Sequence, residues 1–235
     1  MVCEGCGRLD SEVSIGSIRH TTALRGGFAL TRYGETCITQ GETIVQSALI
    51  LIDYINDIVT APRYRDFLAR HHTLERLPRL ISSLRNYGIP VIHVRVGFSD
   101  DYRELPRASP LFASAAIRGA LRLSTAGCDF HPAAAPLPGE TIILKRRVNA
   151  FYGTALDLLL RNMRCERLLI AGCATDLAVQ STVRDAHDRD YRVTVLGGFC
   201  IAASDADHDD TLRLLARVAL VSREQGGHAI AEVPA

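Results

Sequence analysis

The sequence has almost no net charge, with 27 Lys and Arg against 26 Asp and Glu. A dedicated nucleic-acid binder needs a basic excess on at least one face, so the balance argues against that class. Long apolar runs are also missing. The longest, from Ala48 to Ile52, ends at Asp53 and is far short of the roughly 20 residues a membrane span needs. No basic-then-apolar leader opens the chain, because Cys3, Glu4 and Arg8 stand where its apolar stretch would be. Nor do the cysteines form an even set. Seven are scattered through the sequence, which reads as reduced thiols of a cytoplasmic protein and not as a disulfide framework. What is present is an ordinary globular composition: 235 residues, 47% of them apolar and 23% charged. That is enough for one domain with a sizeable core.

Residues 1–45 carry the least pattern and read as an N-terminal extension. Cys3 and Cys6 form one CxxC there, but a zinc ribbon needs a second pair, which Cys37 alone does not supply. From Ser47 onward strand and helix signals alternate, so residues 46–235 read as the folded domain. The continuous apolar run at Ala48–Ile52 predicts a strand buried on both faces, and Pro90–Val96, Thr141–Leu144, Arg167–Ala171 and Tyr191–Leu196 read as further strands. Val218–Val221 predicts a short last strand. Helical spacing predicts helices over Leu68–Asn86, Thr154–Met163, Val179–Asp188 and Asp207–Val218. Residues 99–140, with five of the nine prolines, read as a long loop that lids a site. Alternation of this kind predicts a three-layer α/β/α domain around a central, mostly parallel, six-stranded sheet. Sites in such sheets gather at the carboxyl ends of the strands. Asp53, Lys145 and the segment after Gly172 stand at three such ends.

A carboxylate, an ammonium and a turn opening a helix can together support acyl transfer, if a nucleophile is added at the helix start. Three segments carry a family resemblance. Ile50-Leu-Ile-Asp53-Tyr-Ile-Asn-Asp57 resembles the first motif of the isochorismatase-like cysteine hydrolases. Ile143-Leu-Lys145 through Phe151 to Thr154 resembles the second, and Ile170-Ala-Gly172-Cys-Ala-Thr175 through Ala178 to Ala186 the third. The resemblance spans about residues 46 to 222, and its amidohydrolase branch is similar to N-carbamoyl and ureido amidohydrolases.

The resemblance implies an Asp-Lys-Cys triad. It gives Asp53 the role of base, Lys145 that of its partner, and position 178 that of the nucleophile. It implies a cis peptide between Cys173 and Ala174, and an oxyanion hole from the N–H groups of Ala174 and Ala178. It calls for no cofactor. A homodimer or homotetramer and a small amide or ureido substrate are further expectations from the family.

The sequence departs from the pattern at one decisive place, for position 178 is alanine. A methyl group cannot attack a carbonyl. One reading is therefore a C–N hydrolase whose nucleophile has been replaced, leaving the chain inactive or impaired. A second is a thiol-independent, isochorismatase-type hydrolase of a vinyl ether, in which a protonated Asp53 delivers the proton. A third is a non-catalytic or repurposed small-molecule binder. Cys173 is a lesser candidate for a substitute nucleophile, and Cys200 reads as core. Tyr54, Phe151 and Tyr152 are candidates for pocket walls, and Arg95 or Arg107 for binding a substrate carboxylate. Some family members hold a metal through an Asp-x-His pair. His93 has no acidic partner at that spacing, so no metal is expected. His71, His72 and His208 read as surface residues.

Overall fold

The computed structural model describes residues 46–223. The expectations for residues 1–45, the Cys3/Cys6 pair included, lie outside that range. The first strand, β1 (Gln46–Ile52), is the apolar run, buried from Ala48 to its end. It forms the middle of a six-stranded sheet with β2 (Val91–Val96), β3 (Thr141–Lys145), β4 (Cys165–Gly172), β5 (Arg192–Leu196) and β6 (Leu220–Ser222). The order is β3-β2-β1-β4-β5-β6, and every neighbouring pair is parallel. The chain builds outward on one side of β1, then returns to build outward on the other. This reversal puts the topological switch point at the carboxyl ends of β1 and β4, where a crevice opens in sheets of this kind.

Helices on the two faces bury the strands. The segment expected to be one helix over Leu68–Asn86 is two: α2 (Arg65–His71) and α3 (Thr73–Asn86), after the single turn α1 (Asn56–Val59). The break is at His72, whose φ of 49° is left-handed and cannot continue a right-handed helix. Histidine is among the few non-glycine residues that enter this region readily, so no Gly or Pro announces the break. Along α3, Leu77, Leu80, Ile81 and Leu84 form the buried stripe.

The long loop is also more ordered than expected, since α4 (Pro110–Arg118) lies inside it. Its limits are written in the sequence as Pro110 in the first turn and Gly119, with a φ of 65°, just past the end. Phe112 and Ala115 anchor this helix in a second apolar cluster with Ile55, Val96, Phe98 and Leu121. The remaining helices are α5 (Leu156–Asn162), α6 (Gln180–Asp188) and α7 (Asp205–Leu215). A wide π-type turn over Thr175–Val179 precedes α6, so Ala178 sits in that turn and not in the helix proper. Four cysteines of the described residues, Cys128, Cys165, Cys173 and Cys200, are free and buried. No helix among the described residues is long and apolar enough to cross a membrane.

Candidate active site

The site begins where β1 ends. The Asp53 N–H donates to Val94 O at 2.8 Å, and its φ of 58° turns the chain sharply out of the sheet. Aspartate tolerates this left-handed backbone better than most residues. One carboxylate oxygen accepts the Val96 N–H at 2.8 Å, and the other lies 2.7 Å from Lys145 Nζ. Lys145 reaches Asp53 from β3, across the end of β2. Its ammonium also donates to the carbonyls of Arg147 at 3.1 Å and Val148 at 3.0 Å. An ammonium has three N–H donors, and here all three have acceptors. Both side chains are almost wholly buried, at 1% exposure for Lys145 and 4% for Asp53. Burial pushes the Asp53 pKa above its ordinary value, against the pull of Lys145 and the Val96 N–H.

The second part of the site is the end of β4. The Cys173 N–H donates to Ile52 O at 3.0 Å, and the Ile201 N–H to Gly172 O at 3.0 Å, so the strand is pinned on both sides. A Cβ at Gly172 would meet Ile52 O at 2.6 Å and Ile52 Cβ at 2.8 Å, which is why a side chain is missing there. The Cys173–Ala174 peptide is cis. Ala174 O then accepts from the N–H groups of Leu177 and Val179, closing the wide turn that carries Ala178. Thr175 locks the turn from behind. Its N–H and its hydroxyl both donate to Ile201 O, and its oxygen contacts His208 Nδ1 at 3.0 Å. With the hydroxyl proton spent on Ile201, the histidine nitrogen is the donor in that contact. His208 is thus half-buried against Thr175, not a free surface residue. Burial holds its pKa down at about 4.

Motif-bearing segments two and three are tied directly. The Ala150 N–H donates to Thr182 Oγ1 at 3.0 Å, and Asn149 Nδ2 to Asp185 at 2.8 Å.

Asp53, Lys145, Cys173, Ala174 and Ala178 line one cavity of about 670 Å³. The far wall is α4, through Leu111, Phe112, Ser114 and Arg118. Residues singled out from sequence as reactive therefore come together. The proposed wall and substrate residues do not. Tyr54 is buried on the other side of the strand end, where its hydroxyl donates to Phe199 O. Phe151 stacks on Tyr191 with ring centroids 6.0 Å apart, and Tyr152 is exposed. Arg95 donates to Cys128 O at 3.0 Å and lies over the Phe130 ring. None of these four lines the cavity, and neither does Arg107. His93 is buried, with Nε2 3.0 Å from Glu140, which Arg85 grips through two 2.7 Å hydrogen bonds.

Sequence reasoning missed several lining residues: Arg63, Tyr64, Arg118 and Leu121. Asp57, within the first motif, also lines the cavity, and its carboxylate accepts the Leu121 N–H at 2.6 Å. The Pro110-to-Gly119 helix signature was the available signal for α4 and its Arg118. Burial pushes the Cys173 thiol well above the ordinary cysteine range. A thiol kept protonated in this way is a poor nucleophile, which counts against Cys173 as a substitute for the missing one.

With this geometry in view, comparison with known proteins decides the family. The isochorismatase domain model matches residues 47–225. The chain belongs to the isochorismatase family. It is 31% identical over 171 residues to the isochorismatase family protein YecD of Escherichia coli O157:H7, covering 71% of this chain and 85% of that protein. It is 30% identical over 179 residues to the ureidoacrylate amidohydrolase RutB of Methylorubrum extorquens, covering 69% of each. Among solved structures, an isochorismatase family protein from Desulfovibrio vulgaris superposes with a TM-score of 0.70 at 25% identity, covering 80% of this chain and 98% of that one. The chain is an isochorismatase-family hydrolase in its relationships, with amidohydrolases among its relatives.

Proposed function

We propose that the cavity is a hydrolase site for the C–N bond of a small amide, carbamoyl or ureido compound, and that position 178 is where the attacking atom belongs. The observation that carries this is the buried Asp53–Lys145 pair, 2.7 Å apart, on the cavity that Ala178 also lines. A relative named for ureidoacrylate hydrolysis supports the ureido class.

In this reading Asp53 is the base. With a thiol at position 178, Asp53 takes its proton and the sulfur attacks the carbonyl carbon. The N–H groups of Ala174 and Ala178 receive the oxyanion. Asp53 returns the proton to the departing nitrogen, ammonia or an amine leaves, and a water deprotonated by Asp53 then cleaves the thioester. Lys145 holds the carboxylate in place and balances its charge. With the methyl of Ala178 no thioester forms, so this chain binds such a substrate without turning it over by that route. Ammonia release from a panel of small amides, carbamoyl compounds and ureides tests this, with the chain compared to Ala178→Cys. Release only by the cysteine form supports the reading, and release by neither refutes it.

The raised Asp53 pKa favours one second reading. A protonated Asp53 can deliver its proton to the carbon of a vinyl ether, after which water adds to the oxocarbenium ion and the hemiacetal collapses. That chemistry needs no thiol. It predicts activity in the chain with Ala178, abolished by Asp53→Ala.

A further inference from the structure

The wide turn over Thr175–Val179 is held from two sides. Within it, Ala174 O accepts the N–H groups of Leu177 and Val179, which flank Ala178. Turns of this pitch are rare and short-lived in helices without outside support. The outside support is Thr175, which is wholly buried. Its N–H and its hydroxyl donate to Ile201 O at 2.8 and 3.0 Å, and the Ile201 N–H donates to Gly172 O at 3.0 Å. Behind Thr175 stands His208 of α7, with Nδ1 3.0 Å from the Thr175 hydroxyl oxygen. His208 does not line the cavity.

Only one placement of protons puts a hydrogen in each of these contacts. If the Thr175 hydroxyl donated to His208, its oxygen and Ile201 O would face each other at 3.0 Å as two bare acceptors. The hydroxyl therefore donates to Ile201 O, and His208 donates from Nδ1 to a lone pair of the hydroxyl. Burial keeps the ring neutral near pH 7, so its single proton is the one on Nδ1. The ring is also fixed from α2. The Phe67 ring lies with its centroid 5.2 Å from that of His208 and 4.2 Å from that of His71. Asp205, one turn before His208 on the same side of α7, is gripped by Arg70 at 3.0 Å and by His71 at 2.6 Å. The Ser204 hydroxyl caps the start of α7 by accepting the Asp207 N–H at 3.1 Å. The helix is thus moored to α2 one turn before it reaches Thr175.

We propose that His208 is a positioning residue: its Nδ1–H holds the Thr175 hydroxyl, and through it the turn that aims the N–H groups of positions 174 and 178 into the cavity. The oxyanion task of those groups rests on the hydrolase reading of the site, but the brace has its own test. Stabilisation of a developing charge depends on where the donors stand in the transition state. A loosened turn therefore slows the chemical step and leaves ground-state binding nearly as it was. A packing role alone would answer to the shape of the ring and not to which nitrogen bears the proton. Asparagine separates the two, because its amide nitrogen can take the place of Nδ1 while the rest of the ring is lost.

Two measurements use the chain with Ala178 and need no substrate. Long-range proton–nitrogen NMR of the imidazole rings is expected to show His208 neutral near pH 7, with its proton on Nδ1. Amide exchange at Leu177 and Val179 is expected to quicken about tenfold in His208→Leu and in Thr175→Val, and no further in the double variant. In His208→Asn it is expected to return most of the way to the parent rate. A proton on Nε2, unchanged exchange in His208→Leu, or equal exchange in His208→Leu and His208→Asn overturns the proposal. Should His208→Leu fail to fold, Thr175→Val against His208→Asn makes the same comparison. A third measurement adds each His208 change to Ala178→Cys, with the panel compound that releases ammonia fastest. With His208→Leu, kcat is expected to fall by about 10–10² and KM to stay within about twofold, and with His208→Asn most of kcat should return. A KM that rises while kcat holds overturns the positioning role. Failure of the hydrolase reading looks different. If Ala178→Cys alone releases no ammonia, the hydrolysis is removed, and the proton position and the exchange rates decide the brace by themselves.

Discussion

Single residues carry the reactive part of this molecule, and at that scale the Asp53–Lys145 pair dominates. Two ions taken out of water are costly unless each answers the other, and removing one leaves an unpaired buried charge. Lys145→Met is therefore expected to lose about 3–5 kcal/mol of stability in urea titrations, the usual range for a broken buried pair. Asp53→Leu combined with Lys145→Met is expected to lose much less than that single change. An equal loss in the single and double variants would show that the pair is not a unit. Glu140 gives a pH signature. Burial opposes its ionisation, but Arg85, the Leu137 N–H and His93 outweigh it and hold its pKa at about 2, below the ordinary 4.5. A carboxyl with a depressed folded pKa contributes stability above 4.5 and loses it as pH falls toward 2. Stability measured across that window should fall less steeply for Glu140→Gln than for the parent, and parallel curves would contradict the assignment. Asp53 and Lys145 were legible because each ends an apolar strand. Arg95 was misread because neighbours in an extended strand point to opposite sides, and Tyr54 because the left-handed turn at Asp53 sends the next side chain elsewhere. Tyr54 follows Asp53 and turns away to Phe199 O, and Arg95 precedes the cavity-lining Val96 and faces Phe130.

Among the elements, the critical one is the β4 end with the turn after it. Gly172 lies against the backbone of β1, and a methyl group there must push Ile52 aside or shift the end of β4. Gly172→Ala is expected to cost about 1–3 kcal/mol, as overpacking does. It should also loosen ligand binding, because the same shift moves Ala174 and Ala178. An unchanged melting temperature and unchanged affinity would refute this. The strands were readable from apolar runs because a parallel sheet covered on both faces requires them. Helix limits were less so. The α2–α3 break rests on the backbone of His72, which no residue pattern marks, and the turn over Thr175–Val179 is set by tertiary hydrogen bonds to Ile201. The α4 helix was readable in principle, but its single pair of buried residues gives little periodicity to see.

For the whole molecule, topology explains why distant segments meet. The sheet grows outward from β1 in both directions, so the ends of β1, β3 and β4 open on one crevice although they are scattered along the chain. Legibility at this scale was high, because alternating strand and helix signals leave few topologies once crossovers must be right-handed. The pocket walls were hidden, since α4 reaches the cavity only through packing far along the chain and the Pro62–Tyr64 turn carries no helical or strand period to mark it. The central claim is that Asp53 serves as base toward an atom at position 178. Ammonia release by Ala178→Cys, alone and combined with Asp53→Asn, tests it most directly. The account predicts release by the single variant, reduced by about 10²–10⁴ in the double, the usual worth of a positioned base. Release that the loss of the Asp53 carboxylate does not slow would contradict it.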